Sequence, residues 1–398
     1  MRTVVEHQAV VAELIERPSP VRLPLASARG RVLAADTHAR HPLPAFDNSA
    51  MDGYAARSAD IASASADHPV ELPVAADIPA GRIDVPPLAP GTAHRIMTGA
   101  MMPSGADVIV QVEATDGGTD TVRIFEPREP RVHVRFSGED VVAGELVLPA
   151  GTVLGAAQLG LLAALGEPTV EVIPPLRVLV MSTGSELVEP GGELAPGQIH
   201  ESNTTMLVAA IQGAGAQASP VHFVADDVEQ FWAALDPLLG DADLVITSGG
   251  VSAGAYEVVK DALTGQGVEF ARVAMQPGMP QGAGRLRGVP VVTMPGNPVS
   301  ALVSFEVFVR PALRRAMGYP DPDRPRVPLR LTETIDSPPG KRQFRRGYVD
   351  LVGQAVRTIG PAGSHFLRWL AASDSLIDIP AEVTVVEAGT TVDVWLLD

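Results

Sequence analysis

The chain has 398 residues, 46% of them hydrophobic, which is typical of a globular protein of roughly two to four domains, because single cores rarely exceed about 250–300 residues. The absence of cysteine excludes disulfides, thiolate metal sites and thiol nucleophiles. The formal net charge of −17 argues against nucleic acid or an anionic membrane as a partner, so an anionic ligand must be held by local groups. The N-terminus lacks a signal-peptide pattern and no apolar run reaches the about 18 residues of a membrane span, so we expect a cytoplasmic protein without a membrane segment.

The N-terminal part is predicted to begin with a helix and to continue as short strands. Apolar residues at near-helical spacing predict an amphipathic helix within residues 3–16. From 70 to 149, short β-like runs alternate with turns, which indicates an all-β insert. Arg131, His133 and Arg135 recur there with period two, so we expect them on one face of a strand, where they would either supply positive charge to a site or be merely solvated.

A proline-rich loop at 41–57 carries a cluster of oxygen-bearing side chains and small residues. Its members, within seven positions, are Asp47, Asn48, Ser49, Asp52 and Gly53. A surface turn would explain Asp-Asn-Ser alone, whereas the second Asp-Gly pair favours a site, and both interpretations stay open. Thr98 is expected to be exposed in the turn that follows a short strand in 96–105.

Predicted strands and helices alternate from residue 176 to residue 318. The strands are 176–184, 216–226, 242–250, 268–275 and 289–296, and the helices are 204–215, 227–240, 256–267 and 297–318. Continuous apolar strands between helices predict a mostly parallel sheet covered on both faces, with ligands bound beyond the carboxyl ends of the strands. Residues 282–288 are predicted to form a turn.

The stretch 243–260 reads as strand, glycine turn and helix. Gly249 and Gly250 allow positive φ and can turn backbone amides toward a bound group, while Ser248 and Ser252 add hydroxyls and the following helix offers its N-terminus. This order is typical of an oxyanion site, although an ordinary tight connection between a strand and a helix has the same pattern.

Three carboxylates, Glu186, Asp226 and Glu257, follow predicted strands and are expected to converge at one edge of the sheet. Together with hydroxyls and amides they would hold Mg²⁺ through oxygen atoms and leave positions for water and phosphate oxygens, which suits chemistry on a phosphoanhydride. Each also has a structural explanation. Asp226 with Glu229 fits a helix capping box, Glu257 is favoured by the helix dipole, and Glu186 fits a loop charge.

The segment PGNPVS (295–300) precedes a largely apolar helix. Asn297 is placed to cap this helix and Pro298 suits its first position. A buried helix of this kind presents a dry N-terminus to an anion, although good capping alone explains the same residues. After residue 318, a proline-rich linker is followed by period-two strands that predict a small C-terminal β-barrel or sandwich.

Several motifs occur in a fixed order along nearly the whole chain. They are FDNSAMDGYA (46–55), IMTGA (96–100), GEDV with the AGELVLPAGT that follows (138–152), MSTGSEL (181–187), GQIHESN (197–203), DD (226–227), TSGGVSAG (247–254), MQPGMP (275–280) and MPGNPVSA (294–301). In this combination the sequence resembles the MoeA family of molybdopterin molybdenumtransferases, which is related to the E domain of gephyrin.

The resemblance implies a multidomain fold of class α/β plus β and an elongated homodimer. The expected domains are an elongated N-terminal dimerisation domain (1–44 with 140–175), a β-rich inserted domain (45–139), a three-layer α/β molybdopterin-binding domain (176–319) and a C-terminal β-barrel-like domain (320–398). In such a dimer the active cleft lies between the α/β domain of one subunit and the second domain of the other.

The reaction implied is Mg²⁺-dependent. Molybdate is delivered to the dithiolene of adenylylated molybdopterin, the phosphoanhydride is hydrolysed, and AMP and molybdenum cofactor leave. Molybdopterin adenylyltransferase and molybdoenzyme apoproteins are the protein partners that this implies. Two alternatives stay open, which are adenylylation of molybdopterin, because the α/β domain alone resembles that activity's fold, and a non-catalytic molybdopterin-binding scaffold.

By motif position, the resemblance carries catalytic roles to Asp52, Thr98, Glu186, Asp226 and Glu257, of which the last three are the expected metal ligands. The expected substrate-binding residues are Ser248, Gly249, Gly250, Ser252, Arg272, Pro295, Gly296, Asn297, Pro298, Arg135 and Arg345.

Two residues depart from the family pattern. Glu257 stands where the family often has Asp, which keeps the charge and adds one methylene of reach. Met279 stands where the family has the lysine of Pro-Gly-Lys-Pro, so a cation near an anionic substrate is lost. We expect arginines to offset part of this loss, and the candidates are Arg272, Arg135, Arg342, Arg345 and Arg346.

Overall fold

The computed structural model describes residues 1–221, 227–250 and 258–397. Its α-helices are Val4–Leu14, Ala156–Ala164, Asn203–Gly213, Val228–Leu235, Val258–Leu263, Pro298–Ser304, Arg310–Ala316 and Leu367–Ala371, with a π-helical segment at Phe305–Val309. Short 3₁₀ turns occur at Leu25–Ser27, Ser58–Asp60, Val112–Ala114 and Leu239–Asp241. None of the described helices is long and apolar enough to cross a membrane.

The predicted N-terminal helix is present as Val4–Leu14. Thr3 caps it, because the Glu6 amide donates to the Thr3 hydroxyl (3.2 Å) and the Thr3 amide donates to the Glu6 carboxylate (2.7 Å). Val4 and Val11 are buried in the same core as Phe305. The helix therefore packs on the α/β unit, although the predicted domain bounds assign it to the N-terminal domain; those bounds stay a prediction.

The two segments predicted to form the N-terminal domain, 1–44 and 140–175, meet in small antiparallel sheets. Val21–Pro24, Thr169–Ile173 and Val32–Leu33 form a three-stranded sheet in that order, and Thr37–His38 pairs with Leu146–Leu148. A separate core lies beneath them and includes Leu33, Leu154 and Leu162.

The β-rich insert contains a five-stranded sheet. Its order is Val108–Gln111, Gly53–Ala56, Ala93–Ile96, Val70–Ile78 and Thr121–Ile124, and beside it Asn48–Ser49 pairs with Val134–Arg135. The prediction that Arg131, His133 and Arg135 share one face of a strand is wrong. Arg131 (φ 75°) and His133 (φ 58°) adopt left-handed backbone conformations, so these residues form a turn and only Arg135 lies in a strand.

The central unit is the predicted three-layer α/β arrangement. Its six-stranded sheet has the order Gln217–Pro220, Arg177–Ser182, Leu244–Ser248, Val289–Met294, Pro280–Leu286 and Val268–Arg272. Side chains alternate along each strand, so Val178 and Val180 enter one core while Leu179 and Met181 enter a second core on the opposite face. Helices cover both faces, which explains why the strands are apolar throughout.

The first four strands of this sheet run parallel, Pro280–Leu286 runs antiparallel to them, and Val268–Arg272 pairs antiparallel with Pro280–Leu286 and so runs in the direction of the first four. Residues 282–288, predicted to be a turn, belong mostly to strand Pro280–Leu286. Gly282 and Gly284 have a packing reason to be glycine, because a Cβ would lie 2.3 Å from the Thr293 hydroxyl at Gly282 and 2.1 Å from the Gly267 carbonyl at Gly284.

The C-terminal unit is a closed β-barrel. Strands Arg342–Asp350, Ala355–Thr358, Arg326–Leu331, Thr391–Leu396 and Ser375–Ile379 follow one another around it, and the last pairs with the first. A short pair, Ile335–Asp336 with Val385–Val386, belongs to this unit, whereas the short pair of Leu187–Val188 with Ile199–His200 lies in the α/β unit. The barrel is joined to the α/β unit by strand Met275–Gln276, which pairs in parallel with Arg342 and Gln343.

Candidate active site

A cleft of about 920 Å³ lies at the carboxyl edge of the central sheet, between the α/β unit and the barrel. Register brings Ser182, Ser248 and Met294 side by side at the ends of three parallel strands. The α/β unit lines the cleft with 182–184, 248–250, 275–280 and 295–298, and the barrel lines it with 341 and 362–365. A volume of this size suits a cofactor-sized ligand, and its position is the one expected for a parallel sheet.

The glycine turn has the predicted backbone conformation, with φ of 97° at Gly249 and 63° at Gly250. A Cβ on Gly249 would lie 2.6 Å from the carbonyl oxygen of Thr183, so the turn packs closely against the neighbouring strand end. The Gly249 amide donates to the Met294 carbonyl (3.1 Å), and the Gly250 carbonyl accepts from the Lys260 amide (3.2 Å). The Gly249 amide therefore holds the sheet together and does not face a ligand.

Ser248 is buried, with 1% of its surface exposed. Its hydroxyl accepts from the Asn203 amide group (2.9 Å) and lies 3.4 Å from the Pro295 carbonyl, to which it donates. The Asn203 amide group also donates to the Gly296 carbonyl (2.6 Å). Ser248 and Asn203 thus join the glycine turn, the start of helix Asn203–Gly213 and the loop at 295–298, a task that the sequence did not indicate for Asn203.

Asn297 stands at the N-cap of helix Pro298–Ser304, but its side chain makes no capping hydrogen bond. Its amide group instead donates to the hydroxyl of Ser364 (2.9 Å), and the Val299 amide donates to the Ser364 carbonyl (3.1 Å). A barrel loop therefore occupies this helix start, and the expected anion site there lacks the Val299 amide.

The described residues hold only part of the expected acidic cluster. Glu186 is exposed and lines the cleft, whereas Asp226, Glu257 and Ser252 lie outside the described residues. Within 1–221, 227–250 and 258–397, no group of three or more His, Cys, Asp or Glu side chains is arranged to hold a metal ion. The helix cap expected at Asp226 is made by Asp227, whose carboxylate accepts from the Gln230 amide (2.8 Å).

A further carboxylate, Glu201, lines the cleft and is 7% exposed. It accepts hydrogen bonds from the Ser182 hydroxyl and the Thr204 amide, both at 2.8 Å. Glu201 therefore caps helix Asn203–Gly213, which receives no capping hydrogen bond from the Ser202 side chain. Oxygen donors on the cleft wall are the ligand type that suits Mg²⁺.

Asp52 and Thr98 form a tight pair in the inserted unit. One carboxylate oxygen of Asp52 accepts from both the amide (2.7 Å) and the hydroxyl (2.8 Å) of Thr98. These bonds favour the ionised form and lower the pKa of Asp52 below its usual value. Both side chains are exposed, and neither lines the cleft that contains Glu186 in the same chain.

The expected arginines are dispersed. Arg272 ends strand Val268–Arg272 and contacts the sulfur of Met279 (3.3 Å), which lines the cleft. Arg135 is exposed in the inserted unit, and Arg345 is half-buried in the barrel, where burial lowers its pKa. Neither lines the cleft.

The remaining two arginines serve the barrel. The Arg342 Nε donates to Asp378 (2.7 Å), while Arg346 donates to the carbonyls of Pro361 and of Gly363 (3.1 Å). The sequence did not indicate the barrel residues Lys341 and His365, which do line the cleft.

Three family models match successive parts of the chain. They are the MoeA N-terminal region (domain I and II) at 2–166, a probable molybdopterin binding domain at 179–315 and the MoeA C-terminal region (domain IV) at 328–397. The molybdopterin biosynthesis MoeA protein of Pyrococcus horikoshii has a similar structure, with a TM-score of 0.85 at 32% identity over 100% of this chain and 99% of that chain.

Two curated proteins of Mycobacterium tuberculosis are similar over the full length. Molybdopterin molybdenumtransferase 2 is 58% identical and covers 99% of each chain. Molybdopterin molybdenumtransferase 1 is 37% identical and covers 100% of this chain and 99% of its own. The chain therefore belongs to the MoeA family of molybdopterin molybdenumtransferases, enzymes of molybdenum cofactor biosynthesis.

Proposed function

We propose that the chain inserts molybdate into adenylylated molybdopterin in a Mg²⁺-dependent reaction that releases AMP and molybdenum cofactor. The observation that carries the proposal is the cleft of about 920 Å³ at the carboxyl edge of the sheet, lined by the glycine turn, by Glu186 and by the loops at 275–280 and 295–298. This edge is where parallel α/β sheets bind ligands, and the cleft is large enough for a cofactor-sized substrate.

In this proposal Glu186, with Asp226 and Glu257, would hold Mg²⁺ on the α/β side of the cleft. The ion, when bound, would neutralise charge on the phosphoanhydride as it is cleaved. Gly249, Gly250 and Ser248 shape the wall, and Ser248 acts as a positioning residue because its hydroxyl is committed to Asn203 and Pro295. Ser252, Arg272 and the loop Pro295, Gly296, Asn297 and Pro298 remain the proposed substrate contacts of the α/β unit.

Asp52 would act as a fixed negative charge and hydrogen-bond acceptor. Its two hydrogen bonds from Thr98 keep it ionised at neutral pH, which suits an acceptor better than a general acid. Because Asp52 and Thr98 do not line the cleft of their own chain, we propose a homodimer in which this pair, with Arg135, faces the cleft of the partner subunit.

The proposed reaction is tested by AMP release from adenylylated molybdopterin with Mg²⁺ and molybdate. We expect the wild type to release AMP and Asp52→Asn not to release it. We also expect that neither protein adenylylates molybdopterin. Adenylylation that survives in Asp52→Asn would instead indicate an adenylyltransferase. Substrate binding without AMP release in the wild type would indicate a scaffold.

We propose the cytoplasm as the site of this activity, since a chain without cysteine suits a reducing compartment. Molybdopterin adenylyltransferase would be its supplier of substrate, and molybdoenzyme apoproteins would receive its product. Co-purification of a tagged chain with either partner from cytoplasmic extract would support this, and recovery of neither would contradict it.

A further inference from the structure

The charged groups on the wall of the cleft are unevenly distributed. In the part of the chain that the structure describes, Glu186 and Glu201 line the cleft and Lys341 is the only lysine or arginine that does so. A phosphorylated substrate or an inorganic oxyanion entering beside two carboxylates meets repulsion, and the chain as a whole carries a net charge of −17. Beyond the Mg²⁺ proposed at Glu186, a cation of the protein on the wall would offset this repulsion where the oxyanion lies.

The neighbouring arginines of the barrel do not supply this cation. Arg342 is paired with Asp378, neither of which lines the cleft, and Arg346 donates to backbone carbonyls at 361 and 363. Arg345 does not line the cleft. Lys341, in contrast, makes no ion pair or side-chain hydrogen bond with any of the described residues and is half-buried.

Backbone pairing fixes where Lys341 lies. The Arg342 amide donates to the Ala274 carbonyl (2.9 Å), and the parallel pairing of Met275 with Arg342 continues this contact. Lys341 thus emerges beside the segment that leads into 277–280, the loop that carries Met279 on the same cleft wall. Gly340, with φ of 70°, turns the chain into this position.

We propose that Lys341 of the barrel binds an oxyanion of the substrate in the cleft, either a phosphate group of the pterin nucleotide or molybdate. The proposal rests on the proposed function for the identity of the substrate. A lysine is a compact point charge on a flexible stem, so it can follow an oxyanion across the gap between the barrel and the α/β unit.

The chain contains only two lysines, Lys260 and Lys341, so chemical labelling can report on each of them separately. Lys260 is exposed on helix Val258–Leu263 and does not line the cleft, so it is a matched control within the same molecule. Acetylation of the intact protein with acetic anhydride, followed by mass spectrometry, gives the rate at each lysine separately.

We expect adenylylated molybdopterin to slow acetylation of Lys341 severalfold and to leave Lys260 unchanged. Parallel samples with AMP alone and with inorganic molybdate alone identify which oxyanion is bound, and protection by either supports the proposal. Equal labelling of Lys341 with and without all three probes would overturn it.

Substitution provides the second measurement. A charge-assisted hydrogen bond contributes enough that its loss weakens binding about tenfold to a hundredfold, so we expect Lys341→Gln to raise the Kd for adenylylated molybdopterin by that factor. Lys341→Arg should restore most of the affinity, and Lys260→Gln should bind like the wild type. A melting temperature equal to that of the wild type shows that Lys341→Gln is folded, and unchanged affinity in that variant would contradict the proposal.

The outcomes separate this inference from the proposed function. Wild-type protein that releases AMP while Lys341 is labelled at the same rate with and without substrate refutes the role of Lys341 alone. Protection of Lys341 by AMP or molybdate in a protein that releases no AMP supports the oxyanion site and refutes the proposed reaction.

Discussion

Replacement of Gly249 by alanine tests the turn that shapes the cleft. A Cβ at this position would lie 2.6 Å from the carbonyl oxygen of Thr183 and 3.2 Å from its hydroxyl. Thr183 cannot easily retreat, because its amide donates to the Ser248 carbonyl (3.1 Å) at the end of the adjacent strand. A φ of 97° is also strained for any residue with a side chain. Strain of this kind and overpacking together cost about 2–4 kcal/mol, which we expect as the loss in free energy of unfolding.

Gly213→Ala is the matched control within the same unit. Gly213 ends helix Asn203–Gly213 at a negative φ, and no atom lies within 4 Å of an added Cβ, so we expect no change or a gain of up to about 1 kcal/mol. Urea unfolding followed by tryptophan fluorescence, to which Trp232 on helix Val228–Leu235 contributes together with Trp369 and Trp395, measures both variants. Gly249→Ala should also bind adenylylated molybdopterin more weakly. A Gly249→Ala midpoint equal to that of Gly213→Ala would refute the described turn geometry.

Three further predictions concern other parts of the molecule. Met279→Lys adds a cation to the cleft and should raise affinity for adenylylated molybdopterin about tenfold or more, whereas Met279→Leu should not; equal affinities would contradict the account of the lost lysine. Burial lowers the pKa of His7 from 6.5 to about 4, so the unfolded chain binds a proton at this residue before the folded chain does as the pH falls. The free energy of unfolding is therefore highest above pH 6.5 and decreases toward pH 4, by about 2–3 kcal/mol at pH 4.5. The difference in unfolding free energy between wild type and His7→Gln should change by this amount between pH 7.5 and 4.5, and a constant difference would refute it. Glu306→Ala removes the buried partner of Arg324 (2.9 Å) and should lower the free energy of unfolding by about 3–5 kcal/mol in a urea titration. Glu269→Ala, at an exposed ion pair, should lower it by less than about 1 kcal/mol. Equal losses in the two variants would contradict the buried pairing.

The fold of the central unit was largely predictable because its strands are apolar throughout and alternate with helices. Sequence pattern failed where one local signal has two structural causes. Residues 282–288 resemble a turn because they contain glycines, yet Gly282 and Gly284 are small so that neighbouring strands can approach closely. The basic residues at 131, 133 and 135 alternate as they would along a strand. The left-handed backbone at Arg131 and His133, however, cannot be deduced from the pattern of side chains.

The site was predictable in part, for a related reason. Glu186 and the glycine turn could be placed at the sheet edge because strand ends are visible in the sequence. Lys341 and Ser364 could not, since only the tertiary contact between barrel and α/β unit brings them to the cleft. The separation of Asp52 from Glu186 within one chain was expected only from the family resemblance and not from the residue pattern.

Activity of a mixed dimer tests most directly the claim that two subunits build one catalytic cleft. Asp52→Asn and Glu186→Gln chains with different tags are co-expressed, and dimers that carry both tags are purified. If each cleft combines Glu186 of one subunit with Asp52 of the other, one cleft of the mixed dimer is wild type, and AMP release with Mg²⁺ and molybdate should recover to about half that of the wild-type dimer, while each variant alone stays inactive. A mixed dimer as inactive as its two parents would contradict the account.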